Sequence, residues 1–207
     1  DLILKQSKKL QDPRIKILPL ANFGSLRAVL DQTEAQYVGF LDQNDSLAPF
    51  AVQQVLTAIN NHLDVSVIYS DEDKLSVTNK RYDPWFKPEF NIYNLRTEND
   101  LRHFLVIEKT LGDKINWFGN ISTAHEIDWL QFTLHLSENS LAIAHIPSVL
   151  YHVRSYTKEN EPQPVNRNLQ AIQSHLERQK VQAEVSLNDS PGSYRIRYKI
   201  SGNPLIS

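Results

Sequence analysis

YVGFLDQND, residues 37–45, is the stretch on which the fold of this chain turns. Tyr37-Val38-Gly39-Phe40-Leu41 is uncharged and rich in aromatic and β-branched side chains, as expected of an interior strand of a parallel sheet covered on both faces. Asp42, Asn44 and Asp45 follow directly, and then a helix is expected, with Ser46 as its cap and Pro49 in its first turn. In open α/β sheets, ligands bind beyond the carboxyl ends of the strands. Acids at that edge are therefore candidates for chemistry. The competing reading is that Asp45 or Ser46 merely caps the helix.

Working outward, Val52, Val55, Leu56 and Ile59 have the spacing of one helical face. VSVIY, residues 65–69, reads as a second strand, and it too runs into acids, Asp71-Glu72-Asp73-Lys74. Two consecutive strand–helix units thus place carboxylates at one sheet edge, and their alternation with short links argues for an α/β fold with a mostly parallel sheet. Upstream, residues 2–11 read as a helix stopped at Asp12-Pro13, and 14–18 as a strand. A turn at 22–25 then leads into a helix that reaches about Leu30. Downstream, the proline- and aromatic-rich residues 79–99 are expected to form an ordered loop over the sheet. A strand is expected at 103–108, a helix at 126–138, and short strands at 142–146 and 149–153 on either side of Pro147.

The polar run TKENEPQP, residues 157–164, is the best boundary in the chain. It predicts one unit over 1–156 and an appendage over 157–207, built from a helix carrying Leu169, Ile172 and Leu176 and a hairpin of 181–187 with 193–200.

Composition narrows the function classes. The 207 residues carry a net charge of -2, and their basic residues do not cluster with aromatics, so no nucleic-acid partner is expected. No apolar run is long enough to span a bilayer. With no cysteine there is no disulfide framework and no thiolate metal site, which fits a cytoplasmic setting. The absence of methionine and the linker-like ending at 202–207 read as a piece of a longer chain.

Several residues could do chemistry. Hard cations such as Mg²⁺ and Mn²⁺ prefer oxygen ligands, often one or two carboxylates plus substrate phosphates. Asp42, Asn44 and Asp45 suit that chemistry. Asp71 and Asp73 lie beside them, although such a run can also be a solvated loop. His152 closes an apolar stretch, where a structural role is the commoner one. Glu126 and Asp128 stand at a helix start, where the helix dipole alone favours acids, yet a carboxylate so presented could also act as a general base. P-loop, nucleophile-elbow and GxGxxG patterns are absent.

Taken together, YVGFLDQNDSLAPFAV, VIYSDEDK, RYDPWFKPEFN, RHFLVIEK and AHIPSVLYHVR, in this order, resemble the inverting family 2 glycosyltransferases of GT-A fold, closest to bacterial members that build rhamnan-type and other surface polysaccharides. SYRIRYKISGNPLIS resembles the connector between tandem glycosyltransferase domains. The resemblance implies a Rossmann-like nucleotide-diphospho-sugar transferase sheet that lacks the family's first strand, followed by a C-terminal helix and hairpin. It implies transfer of a sugar, with inversion, from a nucleotide-diphosphate donor to a hydroxyl of a glycan or lipid-linked acceptor. The setting it implies is the cytoplasm or the inner face of the membrane, and an adjacent glycosyltransferase domain is an expected partner.

A divalent cation, Mn²⁺ or Mg²⁺, is the implied cofactor, with Asp42, Asn44, Asp45 and His152 at the positions of its ligands. Asp42, Asp71 and Asp73 fall at donor-binding positions. The family's base falls on Glu126 or Asp128, or, in an ungapped alignment of the helix, on Trp129, where the chemistry would be lost. Asn44 replaces the second aspartate of the family's Asp-x-Asp motif. That substitution admits a second reading, a degenerate domain that binds sugar nucleotide or glycan, or serves as a scaffold, without turnover.

Overall fold

The computed structural model describes residues 16, 18, 25–42, 44–62, 64–116, 128–140, 142–154, 165–189, 192–200 and 202. The elements expected over 2–11 and 157–164, most of the strand at 14–18, and Glu126 lie outside these residues.

Helix α1 (Leu26–Asp31) starts at Ser25, whose hydroxyl accepts the Ala28 amide at 3.2 Å. Strand β1 (Tyr37–Gly39) follows, then β2 (Ser46–Leu47) and helix α2 (Ala51–Asn61). Strand β3 (Val67–Leu75) and strand β4 (Arg81–Trp85) precede the short helix α3 (Ile92–Thr97). Strand β5 (Leu105–Glu108) runs into helix α4 (Lys109–Lys114). Helix α5 (Trp129–Asn139) and the long strand β6 (Ile143–Arg154) come next. Helix α6 (Val165–Arg178) and the hairpin of β7 (Ala183–Leu187) with β8 (Tyr194–Tyr198) complete the described order.

The main sheet has the order β1-β5-β3-β6-β2, with β4 attached to the far end of β3. Its longest pairing, β3 with β6, is parallel over nine registered positions from Val67 with Ile143 to Leu75 with Arg154. Strands β1, β5, β4 and β2 join antiparallel. The sheet is therefore mixed around a parallel centre. Alternation along the strands sends side chains to two cores. Val67, Tyr69, Leu105 and Ile107 join Phe132, Leu134, Ile172 and Leu176 on one face, while Ile68, Val106 and Tyr151 meet Ala51 and Val55 on the other. Cover on both faces is why these strands lack polar alternation. Each fully buried leucine or phenylalanine contributes about 1.5–3 kcal/mol.

Several expectations are corrected. The stretch at 37–41 forms an edge strand, antiparallel to β5, rather than an interior parallel one. Gly39 is exposed there, and a Cβ on it would come within 3.3 Å of Val106 Cγ2. Ser46 does not cap α2; it pairs with His152 in the sheet, and the helix begins at Ala51 with Phe50 as its cap residue. The acids at 71–73 lie inside β3 rather than beyond it. The proline-rich region over 79–99 holds β4 and α3. Ile143–Arg154 is one strand, in which Pro147 and Ser148 are accommodated by a register shift opposite Ser70 and Asp71.

The appendage expected after residue 157 shares the main core, through Ala171, Ile172, Leu176 and Tyr194. A buried polar contact reinforces it. Arg96 Nε donates to His175 Nε2 at 3.1 Å, so that nitrogen carries no proton, and His175 Nδ1–H donates to Glu138 Oε1 at 2.6 Å. Burial pushes the His175 imidazole below its ordinary range, which suits the neutral tautomer that can serve both neighbours.

Candidate functional site

The carboxylates of β3 are nearly inaccessible: Asp71 is 3% exposed, Glu72 6% and Asp73 4%. Ionised acids persist at such burial only when paired and hydrogen-bonded, and each has found partners from distant segments. Asp71 Oδ1 accepts the Lys87 amide at 2.9 Å and His145 Nε2–H at 2.8 Å. Glu72 accepts Lys87 Nζ on one oxygen and His103 Nδ1–H on the other, both at 2.7 Å. Asp73 accepts His152 Nδ1–H at 2.6 Å and pairs with Arg81 on its second oxygen. Burial alone would raise the Glu72 carboxyl, but the hydrogen bond and charge of His103 and the charge of Lys87 outweigh it and hold the group down to about 2.

The loop after β1 is fastened to β6. Tyr151, 1% exposed, accepts the Asp42 amide at 3.2 Å and donates its hydroxyl to Asp45 Oδ2 at 2.7 Å. The Arg154 amide donates to Asp45 Oδ1 at 2.7 Å, and Arg154 Nε reaches the Asn44 carbonyl at 3.2 Å. Asp42 itself is exposed and accepts the Asn44 amide on Oδ1 at 3.0 Å. Burial raises the Asp45 carboxyl, an effect its Arg154 and Tyr151 hydrogen bonds oppose. Tyr151→Phe strips one partner from this buried acid and is expected to cost about 1–3 kcal/mol in urea denaturation; an unchanged midpoint would show that the clamp is unimportant.

The expected residues thus divide. Asp42, Asn44 and Asp45 lie in the loop that Tyr151 and Arg154 of β6 hold, Asp73 and His152 form a registered, hydrogen-bonded pair on β3 and β6, and Asp71 lies two positions before Asp73 on β3. Asp128 stands apart as the cap of α5: its Oδ1 accepts the Gln131 amide at 3.0 Å, and Oδ2 lies 2.7 Å from Arg167 Nε. Glu126 falls outside the described residues. Sequence reading passed over Tyr151, Lys87, His103, His145 and Asp100. Burial and then the charge of Glu98 raise the Asp100 carboxyl to about 6, beside Lys87, Arg102 and His145. No local signal marks these residues, because each acts through a partner far along the chain.

Among the described residues no three His, Cys, Asp or Glu gather in a group able to hold a metal ion. The expected cation set fits in part. Asp45 is buried, and each of its oxygens accepts a hydrogen bond from β6, which makes it an anchor of the loop. Asp42 remains, an exposed carboxylate of the kind hard cations accept together with substrate phosphates. His152 also fits: its Nδ1–H bond to Asp73 is the support that orients metal-binding imidazoles, and it leaves Nε2 as the ligand atom.

The chain is 30% identical to the O-antigen biosynthesis protein RfbC of Myxococcus xanthus over 99% of its own length and 16% of that protein's. It is 29% identical to the uncharacterized protein y4gI of Sinorhizobium fredii over 95% of its length and 23% of the relative's. It thus spans less than a quarter of these curated relatives. Among solved structures, S. aureus TarS 1-349 superimposes with a TM-score of 0.52 at 18% identity, over 72% of this chain and 42% of TarS. The same protein in complex with UDP gives 0.52 at 17% identity, over 72% and 43%. No family model matches. The fold is GT-A-like, in agreement with the glycosyltransferase resemblance read from the sequence. No helix among the described residues is long and apolar enough to cross a membrane.

Proposed function

We propose that this chain is a glycosyltransferase domain of surface-polysaccharide synthesis that binds a nucleotide-diphosphate sugar at the Asp42 edge of the sheet. The observation that carries the reading is the fastening of the Asp42–Asp45 loop to β6 by Tyr151 and Arg154, which presents one exposed carboxylate on a rigid, buried base. Asp42 and His152 would hold Mn²⁺ or Mg²⁺. A bound cation of this kind offsets the charge that develops on a leaving diphosphate. Asp73 orients His152, and Arg154 fixes the Asn44 backbone. Asp71 and Asp73 supply the buried floor beneath the donor: Asp71 holds His145 and the Lys87 amide through Oδ1, and Asp73 holds His152 and Arg81 through its two oxygens.

Proton removal from the acceptor hydroxyl, with attack from the face opposite the nucleotide and hence inversion, is assigned to Glu126. Asp128 is engaged by its helix-capping bond to Gln131 and by Arg167. A second reading, a binding domain without turnover, is favoured by Asn44, a neutral group where the family carries an acid.

Calorimetry with UDP, GDP and dTDP sugars, with and without Mn²⁺, alongside a donor-hydrolysis assay, tests both readings. Metal-dependent binding with hydrolysis is the expected result. Binding without any turnover would defeat the enzyme reading, and no nucleotide binding at all would leave only the scaffold form of the second reading standing.

A further inference from the structure

His103 has a backbone φ of +64°, in the left-handed region that non-glycine residues seldom enter. Such strain persists only where the surroundings over-determine it, and it collects at ligand sites. The surroundings here are specific. Nδ1–H is tied to Glu72 Oε1 at 2.7 Å, and Lys87 Nζ holds the other Glu72 oxygen at 2.7 Å. The imidazole also lies parallel to the Tyr151 ring, with centroids 5.6 Å apart and planes 4° from parallel.

These supports are buried, yet the His103 side chain is 34% exposed. Because Nδ1 turns inward to a buried carboxylate, the exposed edge of the ring is the one bearing Nε2. Among the described residues, Nε2 makes no hydrogen bond. The ring on which His103 stacks is the same one whose hydroxyl fixes Asp42 and Asp45, so the imidazole stands beside the proposed donor edge.

That edge is otherwise acidic: Asp42, Asp45, Asp71 and Asp73. A diphosphate arriving there needs N–H donors. Arg81 is engaged by Asp73, Lys87 by Glu72, and Arg154 by the Asn44 carbonyl and Asn79. Arg102 stacks on Trp85, 5.2 Å from the ring centroid.

We propose that His103 is a donor-binding residue: with Nδ1–H held by Glu72, the ring takes up a second proton from solvent as a nucleoside diphosphate binds, and the resulting Nε2–H hydrogen-bonds its terminal phosphate, an inference that rests on the nucleotide-sugar reading above. Glu72 and Lys87 are its positioning residues. Hydrogen bonds to phosphate with a charge-assisted donor are among the stronger ones proteins make.

The test compares UDP with UMP by calorimetry in Mg²⁺, on the wild-type chain, His103→Ala and His103→Gln. The expected result for His103→Ala is UDP affinity reduced about tenfold with UMP affinity unchanged, so that the preference for the diphosphate collapses. His103→Gln, which keeps an N–H donor, restores part of it. General damage to the fold would weaken both nucleotides alike. As a measurement on unaltered protein, the His103 Nε2 resonance shifts with UDP and not with UMP. An unchanged UDP-to-UMP ratio, or an unmoved Nε2 resonance at saturating UDP, overturns the role of His103 while leaving the glycosyltransferase reading intact. A wild-type chain that binds neither nucleotide overturns both.

Discussion

Lys87→Met is expected to lower the free energy of unfolding by about 3–5 kcal/mol, the usual cost of breaking a buried ion pair from one side. The Lys87 side chain is 1% exposed and Glu72 7%, with Nζ 2.7 Å from Oε2. Nζ also donates to the partly buried Arg102 carbonyl at 3.1 Å, so the substitution removes the donor of two acceptors. Burial pushes the Lys87 ammonium down, and Glu72 only partly offsets it. The pair is therefore not a simple gain: Glu72→Gln together with Lys87→Met is expected to lie closer to the wild type than Lys87→Met alone. Urea denaturation of the three variants checks both statements, and a loss below about 1 kcal/mol in Lys87→Met would show that the cluster is solvated.

The same cluster sets the acid limit. The Glu72 carboxyl lies at about 2 against an ordinary 4.5, a folded value depressed by its partners. Its stabilisation is therefore complete above pH 4.5 and is lost as the pH falls towards 2. Lys87→Met should flatten the decline in stability across this window, and an identical acid profile in wild type and variant would refute the assignment.

Asp42→Ala is expected to weaken metal-dependent nucleotide binding by at least about 100-fold while leaving the fold in place. Asp42 is exposed, and truncations at exposed positions usually change stability by no more than about 0.5 kcal/mol. Asp45→Ala should behave in the opposite way. Its two oxygens hold Tyr151 and Arg154, so its loss is expected to destabilise first and to weaken binding only through the loop. Thermal melts and calorimetry on the two variants separate these outcomes. Unchanged Mn²⁺-dependent binding in Asp42→Ala would remove Asp42 from the ligand set.

Much of this molecule was legible from residues close together in sequence. The apolar runs of β3 and β5 and the periodic faces of α5 and α6 are local patterns whose burial follows from period alone. Asp42, Asn44 and Asp45 were likewise recognisable as a candidate edge, since acids directly after an apolar run are a local observation. What local rules misread was SDEDK. Three acids in four residues look like a solvated loop, and they do lie in solvent unless bases from elsewhere reach them. Here Lys87, His103, His145 and His152 arrive from 15 to 79 residues away, and the run is strand throughout.

The opening stretch divides in the same way. By itself the sequence determined that residues 37–45 form a strand-like segment ending in acids, because hydrophobicity and charge belong to the residues themselves. Only the tertiary structure decided that the segment is an antiparallel edge, that Ser46 enters a strand beside His152, and that Asp42 is exposed while Asp45 is buried as an anchor of the loop. The reason is physical. A carboxylate's role depends on which donors reach it, and for Asp45 those donors, Tyr151 and Arg154, lie 106 and 109 residues further along the chain.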